Sequence, residues 1–66
     1  MEVQTRSDEN GLMSFETIAE AFNHAKEDRT VWRISFTLRG ERFRFVRHAG
    51  DKWVNTQPPD VEEMVS

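Results

Sequence analysis

Residues 31–47 read VWRISFTLRGERFRFVR, and the pairing of this stretch with itself decides the fold. Trp32, Ile34, Phe36 and Leu38 alternate with Arg33, Ser35, Thr37 and Arg39, the period-two pattern of a half-buried strand. If Arg39 and Gly40 form a two-residue loop, Leu38 faces Glu41, Phe36 faces Phe43, Ile34 faces Phe45 and Trp32 faces Arg47. This register gathers Ile34, Phe36, Phe43 and Phe45 on one side and Arg33, Ser35, Thr37, Arg42, Arg44 and Val46 on the other. A slip of one residue would mix phenylalanine with arginine on both sides and bury cations without partners. The residues therefore argue for their own pairing.

A second turn, His48-Ala49-Gly50-Asp51, leads to Lys52-Trp53-Val54-Asn55, a third strand. A two- or four-residue loop pairs Val46 with Trp53 on the arginine side; a three-residue loop turns Trp53 to the core. The first is preferred here because Val54 then joins the core.

Upstream, residues 13–28 read MSFETIAEAFNHAKED and predict a helix. Phe15, Ile18, Phe22 and Ala25 fall on one face, and Glu16, Glu20, Asn23 and Glu27 on the other. Ser14 is the expected N-cap, with Met13 and Ile18 at staple positions, and Glu27 and Asp28 oppose the helix dipole where the helix should stop. Residues 1–12 read as a polar N-terminal arm, although Glu2 to Arg6 can add a short edge strand. Gln57-Pro58-Pro59 should end the last strand, and residues 58–66 form an acidic C-terminal tail in which Asp60 can cap one helical turn. The expected fold class is α+β: one helix packed on a three-stranded antiparallel β-meander, in two layers, within a single domain over residues 13–57.

Composition bounds the stability and the chemistry. A chain of 66 residues buries only roughly 60% of its unfolded surface. It has no cysteine and two histidines, which supports neither a disulfide nor a structural zinc site, so the core or a second subunit must supply the stability. A homodimer is compatible with this. The start, MEVQTRSDENG, has no signal-peptide pattern, and no run approaches a membrane span, so no membrane partner and a cytoplasmic location are expected.

The net charge of −3 hides a segregation. Between Arg29 and Val54 seven cations meet two acids, a balance of +5, and the remainder of the chain carries −8. Such asymmetry points to a charged interaction surface. The candidate partner-binding residues are Arg33, Ser35, Thr37, Arg42 and Arg44, with Trp53 beside them: guanidinium forks suit carboxylate or phosphate, and an aromatic can stack a base or anchor a protein contact. A polar sheet face turned to water is the plain structural account of the same residues. Trp32 and Arg47 suggest a cation–π contact across the hairpin. His24 and His48 lie in separate elements and lack convergent ligands, Ser35 has no neighbouring base, and three isolated glycines form no phosphate loop. No catalytic residue, metal or cofactor is expected, and a non-catalytic module is the reading.

The pattern FETIAEAFNHAKEDRTVWRISFTLRGERFRFVR, followed after a turn by DKW, resembles short uncharacterised accessory proteins of tailed bacteriophages. The similar features are a phenylalanine-led helix, a Trp-X-Ile-Ser-Phe strand, a Gly-Glu-Arg turn and a closing tryptophan, over about residues 15–54. The resemblance implies a phage protein that binds and modulates a host protein in the host cytoplasm. Two other functions fit the charge pattern: single-stranded nucleic-acid binding through the basic sheet face, and DNA mimicry by the acidic helix.

Overall fold

The computed structural model describes residues 1–56. Five strands and one helix follow in the order β1 (Val3–Ser7), β2 (Gly11–Phe15), α1 (Ile18–Glu27), β3 (Val31–Leu38), β4 (Glu41–His48) and β5 (Lys52–Asn55), with a single 3₁₀ turn, Ala49–Asp51, before β5. All strand pairs are antiparallel and the sheet order is β2-β1-β3-β4-β5. The α+β class stands, but the sheet has five strands rather than three. The N-terminal strand lies inside the sheet, between β2 and β3, where the sequence suggested a polar arm or at most an edge strand. The proline-ended stretch and the acidic tail with Asp60 lie outside the described residues.

Small residues explain why β1 can be an internal strand. Its inward positions Val3, Thr5 and Ser7 are buried, and across them the helix presents Ala21 and Ala25, both buried. Short side chains on both partners allow a close approach of helix and sheet, which bulky residues would prevent. Val3, Ala21, Ala25, Val31 and Ile34 make the core, and Phe15, Ile18, Phe22, Phe36 and Trp53 pack against it.

The helix begins four residues later than the predicted cap. Thr17, not Ser14, is the N-cap: its hydroxyl accepts from the Glu20 N–H at 3.1 Å, and Met13, Ser14 and Phe15 belong to β2. Thr17-Ile18-Ala19-Glu20 is itself a capping-box sequence. The helix stops where expected, with Asp28 as its C-cap.

Asp28 also ties two turns together. Its carboxylate accepts from the Thr30 hydroxyl (2.6 Å), the Thr30 N–H (2.9 Å) and the Asn10 side-chain amide (2.7 Å), joining the β1–β2 loop to the α1–β3 connection. The Thr30 hydroxyl bond first, then the Thr30 N–H, the Asn10 amide and His24, hold the Asp28 carboxyl below its ordinary value, although burial acts the other way. A depressed carboxyl stabilises the fold fully above its unfolded pKa, about 3.9, and that contribution is lost as pH falls through the lower folded value. Asp28→Asn is therefore expected to melt at a lower temperature at neutral pH and to show a flatter loss of stability in acid. It should not be flat, because Asp51 is held low in the same way by Arg47 and Arg29. Melting curves of both proteins at neutral and acidic pH check this.

The β3–β4 hairpin has the predicted register, with Leu38 opposite Glu41, Phe36 opposite Phe43 and Ile34 opposite Phe45. Arg39 and Gly40 both take positive φ, 54° and 81°, the left-handed geometry that a two-residue hairpin loop demands. At the other end the register departs from expectation. Arg6 faces Arg33 but Ser7 faces Val31, so a bulge in β3 makes Trp32 the extra residue. Val31 turns into the core, and Trp32 is exposed instead of facing Arg47 on the core side.

Candidate functional site

Cross-strand rows build the uncovered face of the sheet. Leu12, Arg6, Arg33, Val46 and Val54 lie side by side on successive strands, and the next row is Ser14, Gln4, Ser35 and Arg44. Thr37 opposite Arg42 begins a third. Rows along a strand are two residues apart, about 6.6–6.8 Å, and neighbouring strands are about 4.8 Å apart. The structure thus brings Arg33, Ser35, Thr37, Arg42 and Arg44 together as expected. It adds Arg6, which the polar N-terminal stretch had concealed.

An open concavity of about 370 Å³ lies on this face, floored by Ser35 and Thr37 and flanked by Gln4, Arg33, Arg42 and Arg44. Glu2 stands at its rim, accepting a hydrogen bond from the Ser14 hydroxyl at 3.0 Å. Among the described residues the ion pairs are His24–Asp28, Arg29–Asp51 and Arg47–Asp51, and none involves Arg6, Arg33, Arg42 or Arg44. Partial burial, then the like charges of Arg6 and Arg44, push the Arg33 guanidinium below its ordinary pKa. Mutual repulsion of this kind is relieved by an external anion.

Trp53 does not belong to this face. His48 pairs with Lys52 and Arg47 with Trp53 across a three-residue loop, so Trp53 points to the helix side. Its ring meets Phe22 edge-on at 5.6 Å, and the Arg47 guanidinium lies over it at 4.7 Å. The loop length is set by Gly50 and Asp51, both at positive φ, with Asp51 held by Arg29 and Arg47. By the same parity Val54 is exposed on the open face rather than buried in the core. Arg47 therefore stacks on Trp53, and the cation beside Trp32 is Arg33, at 5.6 Å. Trp32, exposed and next to Arg33, is thus the aromatic nearest the basic face. Nothing in the alternation of β3 marks its bulge, so the sequence pairs Trp32 with Arg47 as a structural contact instead.

The remaining candidates separate from this site. Glu16, Glu20, Asn23 and Glu27 are exposed along the helix flank, on the other side of the sheet, as their spacing predicts. His24 is half-buried against the Phe15 ring at 5.2 Å, and His48 is exposed at the end of β4. Among the described residues no three His, Asp or Glu side chains converge, and no helix is long and apolar enough to cross a membrane. Comparison with protein-family models, with curated proteins and with solved structures gives no match to this chain.

Proposed function

We propose that this chain is a non-catalytic protein-binding module whose open sheet face docks on an acidic surface of a partner protein. One observation carries the reading: four guanidinium groups, Arg6, Arg33, Arg42 and Arg44, share a face and form no ion pair among the described residues. Arginine forks with hydroxyls between them can receive several carboxylates at once, and the exposed Leu12, Trp32 and Val54 supply apolar contact at the patch margins. Charge complementarity of this type sets orientation and association rate. The resemblance to phage accessory proteins belongs to the same proposal and would make the partner a host protein in the host cytoplasm.

A second reading, single-stranded nucleic-acid binding, is favoured by one specific feature, the exposed Trp32 beside Arg33. An aromatic next to a guanidinium can stack a base while the cation meets phosphate. The −8 balance outside the basic segment weighs against it, since dedicated nucleic-acid domains lean basic.

Capture from a bacterial lysate, with an oligothymidine titration in parallel, separates these readings. The variant Arg33→Glu/Arg42→Glu/Arg44→Glu is expected to lose partner affinity by at least about 100-fold, near 3 kcal/mol. Capture by the unaltered chain should weaken between about 50 and 300 mM salt. Equal capture by both proteins excludes the arginine face, and salt-dependent oligonucleotide binding by the unaltered chain alone selects the second reading. DNA mimicry by the helix requires the opposite pattern, loss on neutralising Glu16, Glu20 and Glu27.

A further inference from the structure

Among the described residues the sheet ends on one side in an unguarded edge. β2 is its terminal strand, so alternate residues of Gly11–Phe15 turn backbone N–H and C=O groups away from β1, where no strand among the described residues receives them. Proteins blunt such edges with charge, proline or bulges. β5, at the opposite edge, carries Lys52, whereas Gly-Leu-Met-Ser-Phe has neither charge nor proline and leaves Leu12 51% exposed.

Beside this edge, on the helix side, runs an open groove of about 560 Å³. The rings of Phe15 and His24, tilted against each other by 36°, line it, and Glu16, Glu20 and Glu27 give it its charge. None of these glutamates forms an ion pair among the described residues. Glu20 and Glu27 are about 10 Å apart along the helix axis, a span covered by two or three alternate side chains of an extended strand at about 6.6–6.8 Å per pair.

We propose that β2 accepts an extended basic segment of a partner protein as a sixth strand of the sheet. The backbone of that segment completes the edge hydrogen bonds. Its lysine or arginine side chains, at every second position, reach over Phe15 to Glu16, Glu20 and Glu27, and the alternate positions lie beside Leu12 on the opposite face. A second copy of the chain fits this edge poorly. Pairing β2 with itself would set two acidic helix flanks on one side of a continuous sheet, where like charges oppose association. The surface meets the arginine face only along its Leu12 margin, and substitutions at the glutamates and at the arginines test the two separately.

The test uses the full chain and an acetylated octapeptide alternating lysine with valine, with the glutamate–valine octapeptide as control, followed by NMR amide exchange. The lysine peptide should bind and slow exchange at β2 amides, and Glu16→Lys/Glu27→Lys should weaken binding by about 10-fold or more. Both glutamates are exposed, so that variant should retain the fold and the arginine-face behaviour. Binding without added protection at β2, or equal binding of the two peptides, overturns the proposal. So does protection of β2 that grows with protein concentration in the absence of peptide, which would assign the edge to a second copy.

Discussion

Shortening Ile34 to alanine is expected to cost about 2–5 kcal/mol, the range for removing an aliphatic side chain from a packed interior. Ile34 is fully buried and is the largest side chain in that state. It sits on β3 between Thr5 of β1 and Phe45 of β4, so it bridges the N-terminal hairpin and the arginine hairpin. Chains of this size have total stabilities of about 3–10 kcal/mol at 0.05–0.15 kcal/mol per residue. The variant should therefore stand near its unfolding midpoint without denaturant. Urea titration checks it: the midpoint should fall by about 2 M or more, or the cooperative transition should vanish, at a slope near 1 kcal/mol/M.

Arg47→Met is expected to destabilise by about 2–4 kcal/mol even though an arginine of the same strand, Arg42, can be changed to methionine within about 0.5 kcal/mol. The difference is position. The Arg47 side chain is only 12% exposed, donates to the Ala25 carbonyl at 2.7 Å and to Asp51 at 3.1 Å, and covers the Trp53 ring. A charged hydrogen bond to a carbonyl contributes about 1.5–3 kcal/mol, and a cation–π contact about 0.5–1 kcal/mol. Asp51 is half-exposed and can return to water, so its pairing adds little. Arg42 faces solvent on the other side and makes no ion pair among the described residues. Thermal or urea unfolding of the two variants side by side should show a large shift for one and almost none for the other.

These two arginines show where sequence reading succeeds and where it stops. Parity along β4 separates them without coordinates: Arg42 and Arg44 share a side with Val46, and Arg47 shares the other with Phe43 and Phe45. The expected register was right because any slip would bury guanidinium groups beside phenylalanines. What failed was local and weakly encoded. Val3, Thr5 and Ser7 carry too little hydrophobic contrast to announce an internal strand, since their inward positions were chosen small to fit beneath Ala21 and Ala25. Phe15 fits a helical spacing and a strand equally well, and Ser14 drew the helix start away from the Thr17–Glu20 box that holds it.

The site was legible in proportion to how far each residue lay from a turn. Arg33, Ser35, Thr37, Arg42 and Arg44 follow from one hairpin and came out together. Trp53 and Trp32 depend on a loop length and a bulge, where one residue more or less reverses a side chain. The two tryptophans accordingly exchanged sides, and the basic face keeps an aromatic neighbour, though a different one. The segregation of charge resolves into two surfaces: cations on the open sheet face, glutamates along the helix beyond its other side.

The most direct test of the basic face is an NMR titration of the labelled chain with poly-L-glutamate at low and at raised salt. Shifts should be confined to Gln4, Arg6, Arg33, Ser35, Thr37, Arg42 and Arg44 and should diminish as salt is added. Shifts centred on the helix, shifts spread evenly over the surface, or none at low salt would contradict the account.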